Sequence, residues 1–258
     1  MLSRSRKITL GTKEWADSNV NCYFGCSNNC RYCYAKKMAI RFKRKTEKTW
    51  KIMEPNLKAI KKGYLKRKGR IMFPTSHDIT MESLSSCLIV LKKIIDAGNE
   101  ILITTKPRLS CIKLICNDFY KKKNSIQFRF TITSKNNELL KFWEPYAPLF
   151  KERIEALKFA YHKGYKTSVS IEPFLDEDPY TLVDILYPYI TESIWIGKMN
   201  YVFSKNKTPK LINFYNYIDK INSKENLLRI FDMAKNYDNS IVRIKDSIYN
   251  FLNKVNLK

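Results

Sequence analysis

Short apolar, β-branched runs alternate along the chain with stretches whose apolar residues recur at helical spacing. The runs "RIMFP" (70–74), "EILITT" (100–105), "IQFRFTIT" (126–133), "KTSVSIEPF" (166–174) and "SIWIG" (193–197) predict strands. Between them, helical patterns cover 82–97, 109–121, 148–163 and 179–187. In the third of these, Leu149, Ile154, Leu157 and Tyr161 repeat along one face, and Gly164 supplies a stop. One more strand just before Cys26 brings the pattern to six strand–helix units. Strands alternating with helices predict a parallel α/β sheet. Six units fall short of the eight of a full barrel. The expected fold is a partial (β/α)6 barrel over 1–200. A mostly helical extension, 201–258, packs on it and carries a short β-like "SIVRI" (240–244).

Polar residues gather where the strands end, and in parallel α/β folds the C-terminal strand ends build the active site. They are Thr75-Ser76-His77-Asp78, Thr104-Thr105-Lys106, Thr131 with Thr133-Ser134, Ser170 and Glu172, then Gly197-Lys198 and Asn200. Some of these will be ordinary turn residues or helix caps. His77 is one of two histidines, and hydrogen bonding to backbone is its plainest use.

The chain has 258 residues, 44% of them hydrophobic, which suffices for one large core. No apolar run approaches the ~20 residues that span a bilayer. The opening "MLSRSRKITLG" has no apolar signal core, so a cytoplasmic protein is expected. The net charge of +24 points to an anionic partner, most simply DNA or RNA, with a lysine-rich solvated surface as the plainer reading. After Cys33, Ala35, Met38, Ala39 and Phe42 follow a helical period and should face inward, leaving Lys36, Lys37, Arg41, Lys43, Arg44 and Lys45 outward. "KKGYLKRKGR" (61–70) and "KKK" (121–123) extend the basic surface.

Four of the seven cysteines crowd into one stretch: Cys22, then Cys26, Cys30 and Cys33 at C-x3-C-x2-C in "GCSNNCRYCYAKKMA". In a reducing compartment such a cluster binds metal or does redox chemistry. A structural zinc would use all four, but zinc ligands usually come as two separated C-x2-C pairs, and only Cys30 and Cys33 have that spacing. The alternative is a [4Fe–4S] cluster on three cysteines, with one iron left open. Cys87, Cys111 and Cys116 lie on predicted helices, offer no second C-x2-C motif, and read as core residues.

The spacing, the aromatic residue before the last cysteine and the βα series together resemble the radical SAM superfamily. "GCSNNCRYCYAKKMA", "FPTSHDIT" (73–80), "ITTKP" (103–107), "FWEPYAPLFKERIEALK" (142–158), "SVSIEPF" (168–174) and "IWIGKMN" (194–200) look like its spore photoproduct lyase-like branch, over roughly 15–200. That resemblance implies an enzyme of lyase or transferase type. Cys26, Cys30 and Cys33 would hold the cluster, and S-adenosylmethionine would chelate the fourth iron and be cleaved to a 5′-deoxyadenosyl radical. An external donor of flavodoxin or ferredoxin type would supply the electron. Tyr32 would sit beside the adenine, and Thr75, Ser76 and His77 would meet the amino group. Thr131, Thr133 and Ser134 would reach the ribose or carboxylate, and Arg153 would clamp the carboxylate bidentately. Ser170, Glu172 and Asn200 are further cofactor candidates.

Dimer-repair lyases of this branch return a hydrogen atom from a cysteine after the second strand. Here Pro74 stands in that place, and Cys22 could substitute only by reaching the substrate. Modification of a nucleic acid, or an external hydrogen source, therefore fits better than efficient dimer repair. A small-molecule or peptide substrate, or a zinc-stabilised nucleic-acid-binding module without catalysis, are the other readings.

Overall fold

The computed structural model describes residues 11–201 and 209–256. Its elements in chain order are β1 (Ser18–Asn19), β2 (Tyr23–Phe24), α1 (Tyr34–Arg41), β3 (Glu54–Pro55), α2 (Leu57–Lys61), β4 (Ile71–Phe73), α3 (Leu84–Asp96), β5 (Ile101–Thr105), α4 (Leu109–Asp118), β6 (Ile126–Thr131), α5 (Asn137–Trp143), α6 (Phe150–His162), β7 (Lys166–Ile171), α7 (Tyr180–Leu186), β8 (Ile194–Ile196), α8 (Pro209–Ile221), α9 (Lys224–Met233), β9 (Val242–Ile244) and α10 (Asp246–Asn256). The N-terminal residues 1–10, on which the reading of the chain's start rests, lie outside the described set.

Seven strands form one sheet in the order β1-β4-β5-β6-β7-β8-β9, every pair parallel. Its two edge strands do not pair with each other, so this is the open barrel that six βα units imply, with one strand more. The extra strand is β9, from the stretch expected to pack outside. The first strand also differs from expectation. The sheet takes Ser18–Asn19, whereas Tyr23–Phe24, next to the cysteines, pairs antiparallel with Glu54–Pro55 and shapes the loop between.

Side-chain alternation decides the two faces of the sheet. On β6, Ile126, Phe128 and Phe130 join the main apolar core beneath the helices. Gln127 and Arg129 point the other way and hydrogen-bond to the Ser168 hydroxyl of β7, each at 3.1 Å. Trp15 plugs this inner face, packed with Met72, Leu102 and Trp195, with the Arg129 guanidinium 4.6 Å from its ring. Gly164 terminates α6 at φ +75°, with its N–H donating to the Tyr161 carbonyl at 2.8 Å. Among the described residues, no helix is long and apolar enough to cross a membrane.

Candidate cysteine-loop site

The cysteine loop leaves β2 at Gly25 and ends at Cys33, the N-cap of α1. The Cys33 Sγ accepts the Lys36 N–H at 3.4 Å, and Lys37 N–H donates to the Cys33 carbonyl at 3.2 Å. Gly25 has φ +85°, and a Cβ there would meet the carbonyl oxygens of Ile52 and Trp50 at 2.4 and 2.6 Å. Only glycine fits that turn. Cys26 N–H then donates to the Trp50 carbonyl at 3.0 Å, and Arg31 N–H to the Trp143 carbonyl at 2.9 Å. The loop is thus strapped to two separate parts of the chain.

A third strap is Asp78, just past β4. Its carboxylate accepts from Asn28 Nδ2 at 2.7 Å, Ile79 N–H at 2.8 Å, Lys106 N–H at 3.1 Å and the Thr105 hydroxyl. It therefore ties the loop to the C-terminal ends of β4 and β5. That is the end of the barrel where parallel folds place their chemistry.

Cys26 and Cys30 are buried and Cys33 half-buried. Burial is the first cause that raises all three thiols, Cys26 to about 12, and the Cys33 charge adds to the rise at Cys26 and Cys30. A metal bound here must displace the protons. Among the described residues, no group of three or more His, Cys, Asp or Glu could hold one metal ion in common.

Beside the loop lies a charge network that sequence reasoning only half saw. Glu144, between α5 and α6, is 1% exposed. Its carboxylate accepts from the Tyr32 hydroxyl, from Arg153 Nη2, and from the Thr133 hydroxyl at 2.8 Å. Lys106 Nζ stands 3.9 Å away. Burial works against the Glu144 charge, but Arg153 and then Lys106 outweigh it and hold the carboxyl below its ordinary value. Burial also opposes the Lys106 charge, and Cys30, Glu144 and Asp78 hold its ammonium above the ordinary value. Burial, then Glu144, raises the Tyr32 hydroxyl.

The expected site residues sort as follows. Tyr32 and Thr133 meet at Glu144. Arg153 is fully buried, and besides Glu144 its guanidinium donates to the carbonyls of Pro148 (2.7 Å) and Thr131 (3.2 Å). Fully buried and held by these three acceptors, it fixes Glu144 and the end of β6 where a clamp on an incoming carboxylate was expected. Lys106 is the cation nearer the cysteines.

His77 takes the plainer of its two expected uses. Its Nε2 accepts the Cys22 N–H at 3.1 Å, which leaves Nδ1 to donate to the Asp78 carbonyl at 3.0 Å, and its ring lies edge-on to Tyr23 and Phe73. Both ring nitrogens serve the backbone. Thr75 and Ser76 stay half-buried at the mouth, their N–H groups donating to Asn21 Oδ1 at 2.7 and 2.9 Å. Ser134 donates to Asp176 and accepts the Asn136 N–H at 2.8 Å, so it closes a turn. Ser170 is 2% exposed on β7 beside Thr131. Glu172 sits apart from the Glu144 group, 3.6 Å from Lys245, and Asn200 is exposed.

Cys22 does not join the other three cysteines. Its Sγ lies 3.7 Å from Cys87 Sγ and 3.7 Å from His77 Nε2, inside the helix-side core. Cys87, Cys111 and Cys116 are fully buried, as their helical positions suggested.

No family model matches the chain. It is 32% identical over 171 residues to an uncharacterised protein of Methanocaldococcus jannaschii, covering 65% of this chain and 62% of that protein. It is 30% identical over 171 residues to an uncharacterised protein of Acidianus two-tailed virus, covering 62% and 55%. The match thus spans less than two thirds of either relative. Among solved structures, spore photoproduct lyase complexed with dinucleoside spore photoproduct aligns at a TM-score of 0.50 and 15% identity, over 86% of this chain and 65% of that one. Streptococcus suis SuiB bound to S-adenosylmethionine aligns at 0.52 and 13%, over 88% and 50%. The open parallel barrel, with its cysteine loop at the C-terminal strand ends, therefore shares its fold with these two solved structures.

Proposed function

We propose that this protein is a radical SAM enzyme that modifies a nucleic acid. The observation that carries the reading is the placement of three cysteines, and not the fourth, on one strapped loop at the C-terminal mouth of an open parallel barrel. A four-cysteine zinc site is disfavoured because Cys22 is turned into the core. The donor set fits a [4Fe–4S] cluster on Cys26, Cys30 and Cys33. With S-adenosylmethionine bound, that cluster would supply one electron for reductive cleavage to a 5′-deoxyadenosyl radical. Lys106 stabilises negative charge beside Cys30, Glu144 fixes Tyr32, and Asp78 holds the loop against two strand ends. The basic surface supports a polyanionic substrate.

Cys22 buried against Cys87 is poorly placed to return a hydrogen atom to a substrate. That favours modification over dimer repair. Anaerobically reconstituted protein should bind about four irons per chain with matching sulfide and release 5′-deoxyadenosine with dithionite and S-adenosylmethionine. Cys26→Ala, Cys30→Ala and Cys33→Ala should each lose the iron, while Cys22→Ala keeps it. Stoichiometric zinc in place of iron would sink the reading.

A further inference from the structure

The residues after the cysteine loop depart from the expected inward–outward pattern. Ala35 and Ala39 are buried, but Met38 is 37% and Phe42 56% exposed. α1 stops at Arg41, Phe42 caps it, and the chain reverses at Lys43 with φ +55°. Lys36 and Lys45 are not free on the surface either. They pair with Glu47 at 2.5 Å and with Glu54 at 2.6 Å, and so occupy the two neighbouring carboxylates. Among the described residues, no carboxylate pairs with Arg41, Lys43, Arg44, Lys48 or Lys51. The face therefore interleaves open cations with exposed rings. Phe24 and Tyr34 are 45% and 44% exposed, and the Arg44 and Arg41 guanidinium carbons lie 5.4 and 5.8 Å from the Phe42 centroid.

This face holds a cavity of about 190 Å³, walled by Phe24, Tyr34, Met38 and Trp50, with Arg44 and with Thr75 and Ser76 of the barrel mouth also in its lining. It is smaller than the roughly 300 Å³ at which cavities for drug-sized ligands begin. A single planar heterocycle suits it. Trp50, 2% exposed, backs the cavity with its buried ring.

We propose that this face binds single-stranded nucleic acid, with one unstacked base in the cavity and the adjoining phosphates on Arg41 and Arg44; the proposal rests on the nucleic-acid reading above. Rings for bases and cations for phosphates are what sequence-tolerant single-strand sites combine. The cavity shares Gly25 and Tyr34 with the cysteine-loop region and Thr75 with the end of β4, so a strand seated here runs past the barrel mouth.

The test is fluorescence anisotropy on reconstituted full-length protein, with a short labelled mixed-sequence DNA or RNA strand and with its duplex. The single strand should bind more tightly. Phe24→Ala and Phe42→Ala, both at exposed positions, should each weaken binding about five-fold or more, with iron content and salt slope unchanged. Arg41→Gln with Arg44→Gln should flatten the log–log salt slope by about 0.7 per lost contact. If the duplex binds as tightly and the Phe variants bind like the parent, the single-strand site is overturned while the nucleic-acid reading stands. Competition by polyglutamate as strong as by the oligonucleotide overturns it too. If neither strand nor duplex binds at low salt while 5′-deoxyadenosine is still released, both nucleic-acid proposals fall and the radical chemistry is untouched.

Discussion

Two buried charge networks line the inside of this barrel, and they are built for different ends. One surrounds Glu144 beside the cysteine loop: Lys106 follows β5, Thr133 follows β6, Glu144 lies between α5 and α6, Arg153 is on α6, and Tyr32 comes from the loop itself. The other surrounds Lys245, whose ammonium meets Glu14 and, at 3.6 Å, Glu172, with Trp15 4.0 Å below. It joins the first described turn, Gly11–Glu14, to the last strand; Asp246 N–H also donates to Glu14 at 3.0 Å. The first network sets charge next to three thiols. The second fastens the ends of an open sheet. Buried charge alone therefore does not mark a functional site; what it faces does.

Acid should act oppositely on the two. Glu144 is held below its ordinary value, so the folded state binds fewer protons there than the unfolded chain. Its stabilisation is present above the ordinary carboxyl value and is lost as pH falls through the folded one. Glu172 is raised, by burial first, with Lys245 opposing; its charge costs stability at neutral pH, and the cost is relieved on acidification.

The largest expected effect is at the first network. Arg153→Met leaves Glu144 buried with only the more distant Lys106, and should lower stability by about 3–5 kcal/mol in urea unfolding. Lys245→Met should cost about 3 kcal/mol, the lower end because Arg129 still offers positive charge to Glu14 and Glu172. It should leave iron binding intact. Loss of iron in step with stability in that variant would show that the two networks are one system. The smallest effect is at Glu172→Gln, which should change stability by less than about 1 kcal/mol at neutral pH, and not downward if its charge is a net cost.

Much of this was legible in the sequence because the strands are real runs with real periodicity. β5, β6, β7 and β8 lie inside their expected windows. The pairings of two residues, β1 with β4 and β2 with β3, carry no period to read, so the first strand was misplaced. "SIVRI" looked like a strand, but nothing local tells a strand which edge it will join. Lys106 and Asp78 stood among the polar strand ends without a role, because their partners come from other loops. Glu144 was missed: it lies nine residues from Arg153, across the non-helical "PYAPL", where no helical spacing links them. Phe42 was assigned inward because the period was carried one residue past the end of α1.

The seventh strand has a consequence in time. Val242–Ile244 pairs with β8, yet it is synthesised only after α8 and α9 have emerged. Until then Ile194–Ile196 is an open edge, and Glu14 waits for the lysine that neutralises it. Long-range pairings of this kind are slow to form, and an exposed edge invites pairing with other chains. A ribosome that stalls before residue 242 therefore holds a barrel whose cysteine loop is already made and whose sheet is still unfastened.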